Sequence, residues 1–172
     1  MGIYLDHAAT APMPPEVRAV LLDALGEVGN PSSIHAAGQH ARDVLEHGRE
    51  RVAAAIGADA VEIVFTGGGT EAVNLGVKGL YWARAPRRRI LSTRAEHHAT
   101  LDSVQWLEQH EGAELEWIPV DELGRIRLDA LEAALARDPE TIALVTALWA
   151  NNEVGTRQPA EEIVALIERS CA

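Results

Sequence analysis

From residue 62 to residue 170 short apolar runs alternate with segments of helical period, and this alternation limits the possible folds most sharply. Runs suited to strands occur at EIVF (62–65), RILS (89–92), LEWI (115–118) and TIALVTAL (141–148). Helical patterns lie near 70–83, 99–110, 129–137 and 160–170. The succession predicts an α/β fold, a mainly parallel sheet flanked by helices and joined by right-handed crossovers. TIALVTAL is apolar on both faces, which predicts a central strand. Ligands of such sheets bind beyond the carboxyl ends of the strands. Three stretches fall there, TGGGTEA, TRAEHHA and WANNEVG, so glycine and polar residues gather along one edge of the sheet.

Ahead of that region, IYLDHAATAPMPP is short, extended and turn-rich, and residues 1–13 read as an N-terminal arm. The spacing of Val17, Val20, Leu21, Ala24 and Leu25 predicts a helix over 15–27, ended by GEVGNPSS. A longer helix is expected over 36–56, with Val44, Leu45, Val52, Ala55 and Ile56 on one face and Gly57 as its C-cap.

Composition excludes several classes of function. The 172 residues suffice for one domain with a sizeable core, and 47% hydrophobic with 24% charged residues is a globular balance. A net charge of −11 argues against a nucleic-acid partner, which a basic face would serve. The one basic run, Arg87-Arg88-Arg89, reads as a solvated loop. A single cysteine, Cys171, excludes an internal disulfide framework and a cysteine-based zinc site. No apolar run reaches the length of a membrane span, and the first residues lack the signal-peptide succession. No membrane association and a cytoplasmic location are therefore the expectation.

In FTGGGTEAVNL, Gly67-Gly68-Gly69 lead into a helix beginning near Thr70. Glycines let the backbone turn tightly and approach a ligand, and the new helix offers unpaired N–H groups to an anion. The Thr70 hydroxyl is placed either to cap that helix or to bond a phosphate oxygen. The phosphate-loop pattern fails because no lysine follows the glycines. GGGTEA fits the loose dinucleotide fingerprint, but STRAEHH places no acidic residue at the tip of the next strand to bind a ribose. A dinucleotide-binding reading remains as the alternative.

His97 and His98 follow the second strand on what reads as an extended segment, one facing the site and one away. Metal binding is disfavoured by the lack of any HExxH helix, so no metal site is expected. A ring stacked on a ligand, or one moving protons near neutral pH, suits His97 better, with a purely structural role as its rival. His40 and His47 read as a solvated helix face. Asn151 and Asn152 each carry donors and acceptors. Of this pair one is expected to cap the following turn and the other to contact a ligand.

YLDHAATAP, GNPSSIHAAGQHAR, EIVFTGGGTEAVNL, EHHATLD and NNEVGTRQP occur in that order from Ile3 onward, and the chain to about Ala172 resembles the cysteine desulfurases. These are pyridoxal-phosphate enzymes of the class V aminotransferase group. The resemblance implies the aspartate-aminotransferase-like fold (fold type I), with residues 14–172 forming the first half of the cofactor-binding large domain. It implies a homodimer that converts L-cysteine to L-alanine. The sulfur passes to an enzyme cysteine as persulfide and then to a sulfur-acceptor or scaffold protein, for iron–sulfur cluster or thio-cofactor synthesis. Position by position, Gly69 and Thr70 bind the cofactor phosphate. His97, the catalytic residue of this part, stacks on the pyridine ring and moves protons. Asn152 lies by the ring's phenolic oxygen and the substrate carboxylate. Gly67 departs from the family, which usually has serine there, and Asn30 and His35 fall in a family motif without an assigned role.

The family's cofactor lysine, catalytic cysteine, pyridine-pairing aspartate, ring-side glutamine and substrate arginine have no matching motif here. Lys78, the only lysine, lies eight residues into the helix, about 12 Å down its axis from the phosphate end. Cys171 continues the apolar stripe of Ile163 and Ile167 and reads as a helix-packing residue. The chain is thus expected to represent the N-terminal part of such an enzyme and to be inactive alone. Selenocysteine lyases and related aminotransferases share much of the pattern, and a non-catalytic NAD-binding domain is the reading from another class.

Overall fold

The computed structural model describes residues 3–171, the side chain of Cys171 excepted, so the reading of Cys171 as a packing residue lies outside the described residues. The chain divides into two compact units, Met1–Phe65 and Thr66–Ala172.

In the first unit, α1 (Pro15–Ala24) starts on proline, whose fixed φ and missing N–H suit a first helical turn, and it buries no residue. α2 spans Ala36–Ile56. The ring of His35 caps it by accepting from the Gly38 amide at 3.3 Å, and Gly57 ends it at φ 72°. His40 lies 3.3 Å from Glu27, and His47 bonds the Asp43 carbonyl at 2.7 Å, both on an exposed surface as expected. The strand expected at 62–65 is absent. Asp59 and Glu62 instead form a reciprocal capping box around a 3-10 turn at Ala60–Glu62. The Ile63 carbonyl, which a strand would give to a ladder, accepts from the Arg49 guanidinium at 2.5 Å.

The second unit holds the sheet. β1 (Arg89–Ser92), β2 (Glu114–Trp117) and β3 (Ile142–Val145) are parallel in the order β2-β1-β3. Between and after them run α3 (Gly69–Ala83), α4 (His98–Glu111), α5 (Leu128–Leu135) and α6 (Ala160–Cys171). Ile90 and Ala143 pack with Tyr81, Val104 and Leu107 under α3 and α4. Leu91 and Ile142 pack with Leu131, Leu135, Ile163 and Leu166 under α5 and α6. The strands therefore sit between two helical layers, each with its own core.

β1, not β3, is the central strand, which corrects the expectation for 141–148. Helices cover both faces of β3 and bury Ile142, Ala143 and Leu144, so an apolar run on both faces reports helical cover rather than a middle place. Arg89 is corrected too. It lies in β1 rather than a solvated loop, and its guanidinium bonds Glu116 at 2.8 Å, the Ala134 carbonyl at 2.9 Å and the Arg137 carbonyl. Among the described residues no helix is long and apolar enough to cross a membrane.

Candidate functional site

The connection β1–α4–β2 leaves β1 in one direction, and β2–α5–β3 crosses back to its other side. Right-handed crossovers then require α4 and α5 on opposite faces, as their separate cores show. The exit of β1 turns to the α4 face while that of β3 runs on to α6 on the other face. Between these two carboxyl ends lies the crevice where open α/β sheets bind ligands. The loops that frame it carry His97 and Asn152.

His97 is the N-cap of α4, with its Nδ1 accepting from the Ala99 amide at 3.0 Å. The extended-segment picture of the histidine pair is therefore corrected, since His98 already begins the helix and the two rings lie 6.4 Å apart at 71°. The cap fixes the ring and its chemistry. With Nδ1 used as acceptor, the neutral imidazole carries its proton on Nε2. The side chain remains exposed.

Asn151 and Asn152 take different roles. The Asn151 Oδ1 accepts from the Glu153 and Val154 amides, both at 2.9 Å, and makes the turn. Asn152 is exposed, with no side-chain hydrogen bond among the described residues. Such an amide is free to offer a donor and an acceptor to a ligand.

Gly69 and Thr70 open α3, and their amides, as first-turn groups, have no intrahelical acceptor. The Thr70 hydroxyl does not cap the helix, whose N-cap is Gly68. A Cβ at Gly68 or Gly69 would meet nothing within 4 Å, so the turn is open to close approach. At Gly67 a Cβ would come within 3.1 Å of Glu71 Oε2, the atom that accepts from the Gly67 amide at 2.7 Å. Glycine rather than serine at this position keeps that bond uncrowded. Because residues 62–65 are not a strand, the strand–turn–helix context of a dinucleotide fingerprint is missing.

The inner face of α3 is separated from the end of β3 by a pocket of about 360 Å³. Val73, Val77, Leu80 and Leu148 line it, together with Glu96 and Thr100. Glu96 is 8% exposed and its Oε1 has no hydrogen-bond partner among the described residues. Burial pushes its carboxyl above the ordinary carboxylate range, against the opposing pull of the Leu148 amide and the Thr100 and Thr146 hydroxyls. Sequence reasoning passed over Glu96. No local signal in TRAEHHA marks it, because the apolar strand β3 and helix α3 that bury it are remote in sequence.

Lys78 does not face this site. Its ammonium lies 4.2 Å over the ring of Trp106 on α4, which holds it by a cation–π contact. Among the described residues no group of three or more His, Cys, Asp or Glu side chains is arranged to hold a metal ion. The structure thus brings the loops of His97 and Asn152 together, and no direct bond ties the glycine turn to either of them among the described residues.

Residues 3–172 match the family model described as aminotransferase class-V. The chain is 48% identical over 164 residues to the IscS-like cysteine desulfurase of Mycobacterium tuberculosis, covering 93% of this chain and 42% of the relative. A solved structure titled NifS-like protein superposes with a TM-score of 0.91 at 32% identity, over 99% of this chain and 46% of that one. Another, SspA in complex with cysteine, gives 0.87 at 30% identity, over 96% and 47%. The chain therefore spans less than half the length of these relatives.

Proposed function

The chain belongs to the class-V aminotransferase family, and on that footing we propose that it forms the cofactor-holding part of a pyridoxal-phosphate-dependent cysteine desulfurase. What supports this reading is the Asn151–Ala95 bond, which ties the loop of Asn152, exposed and without a side-chain hydrogen bond among the described residues, to the loop of His97, whose exposed ring caps α4. The open glycine turn of α3 supplies the remaining group that a phosphorylated aromatic ring needs.

Pyridoxal phosphate, when bound, supplies an electron sink for charge that develops at the substrate Cα. The residues present fit such a group. The Gly69 and Thr70 amides and the Thr70 hydroxyl offer neutral donors to a phosphate, helped by the positive end of α3. His97 presents a ring whose orientation the Ala99 amide fixes, and its Nε2 is the atom at which a proton is held and moved. The Asn152 amide can donate to a phenolic oxygen and to a carboxylate without adding charge.

L-cysteine is the proposed substrate. Its sulfur passes to a thiol of the whole enzyme, so that cysteine and thiol give alanine and persulfide, and the persulfide then serves an acceptor or scaffold protein. A homodimer is part of the same reading, which rests on the family and on relatives named as cysteine desulfurases. Lys78, held over Trp106, is not available to bind the cofactor covalently, so the 172-residue chain is expected to release no sulfide from cysteine.

Titration of the chain with pyridoxal phosphate and, separately, with NAD tests the proposal. Saturable binding of pyridoxal phosphate alone, monitored by its absorbance, is expected. Binding of NAD without pyridoxal phosphate would contradict it.

A further inference from the structure

We propose that Asn151 is a positioning residue whose side chain straps the loop carrying Asn152 to the loop carrying His97, and so sets the gap in which a ligand ring sits. The inference deepens the cofactor reading above and rests on it. The Asn151 Oδ1 takes two amide donors, Glu153 and Val154, each at 2.9 Å. Only the oxygen end of the amide can accept them, so Nδ2 is turned the other way. There it donates to the Ala95 carbonyl at 3.2 Å, two residues before His97.

The backbone of Asn151 is fixed as well, by its amide to the Thr156 carbonyl at 2.8 Å and by its carbonyl to the Gly155 amide at 3.0 Å. Nearer the sheet, the Thr146 hydroxyl bonds the Ser92 hydroxyl at 2.8 Å and joins the ends of β3 and β1. Beyond that level the sheet ladder has stopped, and the two loops diverge toward opposite helical layers. Glu96 lies in the same space and meets the Leu148 amide and the Thr146 hydroxyl nearer the sheet, whereas Asn151 ties the two loops farther out, beside Asn152. The Asn151 side chain is thus placed where backbone pairing no longer governs the distance between His97 and Asn152.

Asn151→Ser separates the strap from the turn. A serine oxygen still accepts from the amides of the turn, while the donor to Ala95 is lost and no charge is added. Asn151→Asp keeps the turn acceptor too and places a second acceptor against the Ala95 carbonyl. Each variant is titrated with pyridoxal phosphate and with inorganic phosphate. The strap predicts about tenfold weaker pyridoxal-phosphate binding in both variants, the cost of about one hydrogen bond, with inorganic phosphate changed by less than about twofold. Equal loss for the two ligands, no loss for either, or loss in the aspartate variant only would overturn it.

Should the unsubstituted chain bind no pyridoxal phosphate, the cofactor reading fails while the strap is still decided by NMR of the free chain. The expected result is protected Glu153 and Val154 amides, a displaced His97 ring resonance and several-fold faster exchange at the Ala99 amide. His97 and Ala99 signals unchanged from the parent would overturn the strap.

Discussion

Glu96 shows how one buried atom ties stability to pH. Its carboxyl titrates above the ordinary range in the folded chain because burial disfavours the charged form. The folded state then holds a proton that the unfolded state has released, so stability falls as pH rises from the ordinary carboxylate range through the raised folded value. Glu96→Gln is expected to flatten that part of the profile and to leave the protein at least as stable at neutral pH. Thermal midpoints measured across the acid range in both proteins check this, and a parallel profile would contradict it. The same scale shows what sequence makes legible. A glycine run and polar residues at strand ends are visible in letters alone, whereas the choice of Gly69, Thr70, His97 and Asn152 among them rests on the family resemblance. Capping by His97 and the donor role of Asn151 depend on bond directions that letters do not carry.

At the scale of elements, the helices of this chain were readable because caps and apolar period agree. Gly57 and Gly112 both end helices at positive φ, 72° and 67°. Gly112→Ala is expected to destabilise by about 1 kcal/mol, since a Cβ is strained there, as chemical denaturation would measure. Strands were less legible. EIVF has the right residues, yet a strand exists only with a partner, and the capping box of Asp59 and Glu62 together with Arg49 takes up its polar groups locally. RILS was read correctly as a strand, but Arg89 within it was read as solvated because a basic run is usually surface. Its guanidinium instead spans β2 and α5, at 12% exposure. Arg89→Ala leaves Glu116 paired with Arg137 but takes the guanidinium from the Ala134 and Arg137 carbonyls, and an unfolding free energy lower by about 1–2 kcal/mol is expected from denaturant titration.

Across the whole molecule the two units are unequally built. Thr66–Ala172 has two cores around a parallel sheet, whereas α1 buries nothing and leaves Val20 69% and Leu22 63% exposed. Amide exchange is expected to be fast throughout α1 and slow at Ile90, Leu91 and Leu107, which have no exposed surface. Among the described residues β3 has a single neighbour, so one edge of an apolar strand is unpaired. An edge of this kind recruits other strands, and sedimentation is expected to show association that grows with protein concentration. The placement of the candidate site follows from the same architecture. Exits of β1 and β3 lead to opposite helical layers, and two of the three polar loops marked in the sequence, those of His97 and Asn152, are joined there by the Asn151–Ala95 bond.

The most direct measurement is an amide chemical-shift map of the chain titrated with pyridoxal phosphate. A cofactor held by this crevice gives its largest, saturable shifts at Gly69, Thr70, Ala99 and Asn152, and His97→Ala weakens the binding about tenfold, the loss of one stacked ring. Shifts centred elsewhere, or none at saturating cofactor, would contradict it.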